Sequence, residues 1–173
     1  MRTKIRRLAL LGVVMGGLLV TALSAPVSAA GTIQISGSGY YDDAAGTECG
    51  VPPAGFDSYA GLVLSGDLEG CLYTDVLGSK FHEAPSGIYI ETGRELIVAS
   101  LNGAPVATFE TTYRFESKWD PDAFTGVEVR GRCQHPLAAG SGTGIFAGAT
   151  GRLDFKDEVS TGLFFYRGHI TLG

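Results

Sequence analysis

The sequence predicts an all-β protein, a single antiparallel β-barrel of seven to eight strands, with a two-sheet sandwich as the alternative. Three observations predict it. Apolar and polar residues alternate, and helical periodicity is almost absent. Glycine is abundant, 26 of 173 residues, and scattered through the apolar segments, which argues against long helices. No segment of helical length separates the candidate strands, so parallel βαβ units are excluded. Long strands favour a closed barrel, because closure removes their exposed edges.

Residues 1–30 read as a secretory signal peptide. Arg2, Lys4, Arg6 and Arg7 make a basic start, "LALLGVVMGGLLVTAL" an apolar run, and "SAPVSAA" a small-residue cleavage stretch. The run is shorter than the roughly 20 residues of a membrane span. Cleavage is therefore expected, giving a secreted, extracellular chain with no stable membrane anchor and one domain over 31–173. Four of the 13 Lys+Arg leave with the signal, so nine face 18 Asp+Glu, a formal charge of −9. That acidity disfavours nucleic acid and anionic membranes as partners, and no basic patch is evident after the signal.

Cys49, Cys71 and Cys133 remain. An oxidising compartment predicts one disulfide and one leftover thiol. Sequence does not choose among the three pairings, although Cys49 lies in a loop that can reach a strand.

The first strand is "TIQISGSGYYD" (32–42), followed by a Gly/Pro/Asp-rich loop over 42–58. "GLVLSGDLEGCLYTDV" (61–76) reads as one long strand interrupted by Gly66 and Gly70, and 77–87 as a connection. "IYIETGRELIVASL" (88–101) is a strand with an interior Gly93. "NGAP" (102–105) carries the Asn-Gly hairpin signal. In 106–119, Phe109, Thr111, Tyr113 and Phe115 share one face, and Glu110, Thr112, Arg114 and Glu116 the other. "DPDAFTG" (120–126) is a turn. In 127–136, Val127, Val129, Gly131 and Cys133 alternate against Glu128, Arg130, Arg132 and Gln134. Strands over 151–158 and 163–172 flank the turn "VSTG".

Between them lies "GSGTGIFAGATG" (140–151). Gly142, Gly144 and Gly148 do not have the spacing of a dinucleotide loop, and a strand rather than a helix follows. The glycines are expected to permit positive φ at a barrel corner, with Phe146 tucked beneath as a plug. Gly142, Thr143, Gly144, Phe146, Gly148, Ala149 and Gly151 resemble the glycine-rich turn of the allene oxide cyclase-like barrel group, which includes the dirigent proteins. The resemblance covers about ten residues closely. It implies an eight-stranded barrel with an internal cavity. In characterised members of that group the cavity holds a hydrophobic substrate and steers a cyclisation or radical coupling. The matched turn is structural, and no functional acid of that group maps onto a motif here.

Candidate chemistry is sparse. Asp67 and Glu69 sit two apart, with Asp75 beyond, as a carboxylate set able to divide acid and base roles. Glu91, Glu95, Glu110, Arg114, Glu128, Arg130 and Arg132 occupy neighbouring strands. They form either outer ion pairs or the lining of a polar cavity. His82, His135 and His169, with Cys133, lack the usual spacing of a zinc site, and "DPDAFTG" lacks the ligands of a calcium loop. No metal or cofactor is expected, and no Gly-x-Ser-x-Gly elbow occurs. Phe109, Tyr113, Phe115, Phe155, Phe164, Phe165 and Tyr166 are core aromatics, of which some can line an apolar cavity.

The leading expectation is a non-enzymatic barrel binding a small apolar ligand. The alternatives are a cofactor-free cyclase or isomerase anchored by a carboxylate such as Glu69 or Glu95, and a protein-interaction module using the acidic surface or the loop "CGVPPAGFD" (49–57). Homo-oligomerisation is left open.

Overall fold

The computed structural model describes residues 31–42, 47–122 and 125–173. The expected signal peptide lies outside the described residues, as do parts of the 42–58 loop and of the "DPDAFTG" turn. Eight antiparallel strands follow in order: β1 (Thr32–Tyr41), β2 (Leu62–Gly66), β3 (Leu68–His82), β4 (Ile88–Leu101), β5 (Ala107–Asp120), β6 (Val127–Pro136), β7 (Thr150–Glu158) and β8 (Leu163–Thr171). Each pairs with the next, and β8 returns to β1 from Thr32↔Thr171 to Gly39↔Phe164. The sheet is a closed barrel, so the sandwich alternative does not hold.

The 61–76 segment is two strands, not one. Gly66 takes φ +113, the chain reverses at Asp67, and Leu64 pairs with Gly70. The Asp67 carboxylate accepts the Ser36 N–H at 2.7 Å, tying this turn to β1. The expected connection over 77–87 is also shorter, because β3 runs on to His82 after a bulge between Val76 and Gly78. In β6 the first half is inverted. Lys118 pairs with Arg130 and Trp119 with Glu128, so Val129 is skipped. Val127 and Val129 consequently face solvent, 72 % and 57 % exposed, while Gly131, Cys133 and His135 point inward.

One half of the barrel is filled. Leu68, Ile97, Phe109, Phe146, Leu153 and Ile170 are buried there almost completely. Phe146 comes from a short 3-10 turn, Gly144–Phe146, and sets its ring edge-on against Phe109 at 4.7 Å. The glycines deliver it. Gly144, Gly148 and Gly151 take φ +51, +72 and +144, and a side chain on Gly142 would strike the Phe146 carbonyl.

A second, smaller cluster lies outside the barrel wall. The Cys49–Cys71 disulfide pins the 47–61 loop onto β3, and Phe56 packs there with Val63 and Tyr73. Tyr73 donates its hydroxyl to the Cys49 carbonyl at 2.7 Å. Backbone N–H groups of Glu48 and Cys49 donate to the Asp42 carboxylate at 2.8 Å each. Cys133 is the unpaired cysteine and is buried inside.

Two outcomes follow. Phe146→Ala should lower the unfolding free energy by about 3–5 kcal/mol, read from urea denaturation, because it empties the filled half. Removing the Cys49–Cys71 link as a double alanine variant should cost about 3 kcal/mol. A change below about 1 kcal/mol in either would contradict its assigned role.

Candidate functional site

The other half of the barrel keeps a cavity of about 220 Å³. Strand alternation sets its walls. Glu91, Gly93 and Glu95 of β4 face inward, opposite Thr111, Tyr113 and Phe115 of β5. Cys133 and His135 of β6 and Phe155 and Asp157 of β7 complete that side. Tyr41, Phe115, Phe155 and Phe164 supply an aromatic wall, with Tyr41 edge-on to Phe164 at 5.4 Å.

Glu91, 4 % exposed, is the hub of a hydrogen-bond network. Its Oε2 accepts the hydroxyls of Tyr59 and Tyr89, each at 2.6 Å, and its Oε1 accepts that of Tyr113 at 2.7 Å. Three donors converging on one carboxylate nearly saturate its lone pairs. Gly93 makes this possible. It stands opposite Tyr113 in the register, and a Cβ there would come within 2.5 Å of the Tyr113 ring. Tyr59 belongs to the disulfide-pinned loop, so that loop forms part of the cavity wall. Burial, reinforced by the hydrogen bond to Glu91, pushes the Tyr59 and Tyr113 phenols well above their ordinary range, which keeps both as donors.

Glu95 holds a second network. Its Oε2 accepts the Thr111 hydroxyl at 2.9 Å and shares a hydrogen bond with Nδ1 of His135. The His135 ring packs between Phe155, 4.6 Å away, and Tyr113, stacked at 6.0 Å. Its Nε2 is buried and has no hydrogen-bond partner among the described residues. An imidazole oriented through Nδ1 by a carboxylate, with Nε2 bare, has the geometry of a general base.

The third polar element is a carboxylate pair. Glu128 and Asp157 meet above Gly131, whose missing side chain leaves them room. Burial, then the charge of Asp157, pushes Glu128 up to about 7. Burial also raises Asp157, so both carboxyls resist ionisation. The Cys133 thiol is raised by burial first and by nearby Glu95 second, which keeps it protonated at neutral pH.

Glu95 thus lies in the cavity, whereas Glu69 is exposed on the outer face. Asp67 caps a turn, and Asp75 pairs with Arg94 at 2.9 Å outside the barrel. Of the charged strand set, Glu91, Glu95 and Glu128 line the cavity. Glu110, Arg114, Arg130 and Arg132 lie on the outer face, where Arg132 reaches Glu116 at 3.1 Å. His82 and His169 are remote from His135, and no three potential metal ligands converge among the described residues. Tyr59, Tyr89 and Asp157 were missed as site residues, although Asp157 continues the inward face of Leu153 and Phe155. Outside, Lys118, Arg130, Arg132 and Lys156 gather along a groove of about 180 Å³. This basic cluster is invisible in the linear sequence, because three strands contribute to it.

The carboxylate pair has a pH signature. Glu128 sits above its ordinary 4.5 in the folded state, at about 7. Its favourable contribution is therefore complete below about pH 4.5 and lost as pH rises through about 7. Melting temperature should fall between about pH 5 and pH 8, and Glu128→Gln should flatten that fall. Equal slopes in the two proteins would contradict the raised Glu128 carboxyl.

No protein family, no curated protein and no solved structure matches this chain. The functional reading therefore rests on the geometry of the cavity.

Proposed function

We propose that this is a secreted barrel that binds a ring-sized molecule in its open half and moves a proton on it without a cofactor. The observation that carries the reading is the buried, partnerless Nε2 of His135 at the cavity wall. Glu95 fixes the tautomer and the ring plane. Nε2 takes a proton from a carbon or hydroxyl of the bound molecule. Glu128, pushed up to about 7 beside Asp157, is suited to return one at another position. The outcome is an isomerisation or ring closure with no net oxidation. Volume limits the ligand. About 220 Å³ exceeds the ~150 Å³ that admits benzene but excludes an extended lipid chain.

The resemblance of the glycine turn to allene oxide cyclase-like barrels supports a cavity that steers such chemistry. The Cys49–Cys71 disulfide supports an oxidising, extracellular setting, as does the signal-like 1–30 segment. A second reading, a carrier without chemistry, draws on the aromatic wall of Tyr41, Phe115, Phe155 and Phe164. The interaction-module reading is less supported, since Phe56 of the 49–57 loop is buried against the barrel.

The test screens ring-sized ketones, neutral and amine-bearing, by NMR, and follows deuterium uptake beside the carbonyl of any that bind. Wild type should accelerate uptake, and His135→Gln should slow it by about 100-fold or more while binding persists. Binding without uptake would leave the carrier reading. Absence of binding across the panel would overturn both.

A further inference from the structure

We propose that the molecule held in the open half of the barrel is an organic cation, a protonated amine or quaternary ammonium on a small ring. The inference rests on the cavity being a ligand site, and it adds the charge class of the occupant.

The donor and acceptor inventory of the walls leads there. The hydroxyls of Tyr59, Tyr89 and Tyr113 are all spent on Glu91, and that of Thr111 on Glu95. His135 sets Nδ1 against Glu95, and its side chain, 4 % exposed, brings a partnerless Nε2 to the cavity wall. The cavity leaves Oε1 of Glu128 and Nε2 of His135 without a partner among the described residues, and Tyr41 adds a hydroxyl at the wall; a ligand N–H can be given to the Glu128 carboxyl.

Charge points the same way. Glu91, Glu95, Glu128 and Asp157 line the cavity, and no lysine or arginine does among the described residues. The walls are therefore acidic, and an anionic ligand would be desolvated beside carboxyl groups. Shape adds a third reason. Tyr41, Phe115 and Phe164 present aromatic faces or edges to the same space. Aromatic rings beside carboxylates form the cage that suits an alkylammonium, which gains cation–π attraction without a full hydration shell. The closed barrel and the pinned loop preorganise all three features.

The test uses three probes of one size: benzylamine, benzyl alcohol and benzoate. Each is titrated into the disulfide-intact mature protein at pH 7, with the side-chain resonances of His135 and Tyr113 as the local readout. Benzylamine should bind at least tenfold more tightly than benzyl alcohol, with benzoate weakest, and should shift both resonances. Glu91→Gln should narrow the preference for the amine over benzyl alcohol. If that variant fails to fold, the three-probe comparison on wild type still decides. Benzyl alcohol binding as tightly as benzylamine, or benzoate binding best, would overturn the cation inference and leave the site reading intact. Benzylamine binding that moves neither resonance places the cation elsewhere and also overturns it. Failure of all three probes to bind would overturn the site reading itself. A preference for the amine with no proton exchange on any ligand would support the cation inference and count against the acid–base chemistry.

Discussion

The pairing of β1 with β8 is the interaction on which everything else depends. Without that ladder, from Thr32↔Thr171 to Gly39↔Phe164, there is a curled sheet and no interior. With it, eight strands enclose a space just wide enough for side chains to fill. What the protein can do is then decided by how the space is filled. Phe146 and its neighbours fill one half with buried apolar side chains.

The open half is built by subtraction. Gly93 and Gly131 sit at inward positions where any side chain would collide, with Tyr113 in one case and with Asp157 and Glu128 in the other. Each glycine trades packing for a polar group. Buried carboxylates are costly unless partnered. Glu91 has three phenols, Glu95 a hydroxyl and an imidazole, and Glu128 lies beside Asp157. Nε2 of His135 and Oε1 of Glu128 are left without a partner among the described residues. A barrel selected only for stability has little reason to keep four acids in its interior, because apolar replacements of similar volume are often as stable or more so.

Much of the fold was legible in the sequence, and the reasons are local. Alternation in 106–119 placed Phe109, Thr111 and Tyr113 inside, where they are. Asn102 and Gly103 adopt the positive φ angles, +50 and +77, that an Asn-Gly turn requires. The turn between β2 and β3 was missed because alternation continues smoothly through "GDLEG". Only the pairing of Leu64 with Gly70 reveals the reversal. The inversion of early β6 has no local signal either. It comes from Val129 being skipped against β5, which moves Glu128 from the outer face to the cavity. The site was harder still. Glu95 was named as a polar anchor, but its union with His135 and Thr111 depends on non-local register across β4, β5 and β6. Tyr59 reaches Glu91 from a loop whose path is set by a disulfide that sequence alone left among three pairings.

The most direct measurement is a long-range nitrogen–proton NMR spectrum of the His135 ring in the unliganded protein at neutral pH. The proposed base needs a protonated Nδ1, held by Glu95, and an unprotonated Nε2 facing the cavity. A spectrum with one protonated nitrogen, assigned to Nδ1, is the expected result. A protonated Nε2, alone or together with Nδ1, would contradict it. The cavity would then offer a donor in place of an acceptor, and the base at the centre of the proposed chemistry would be lost.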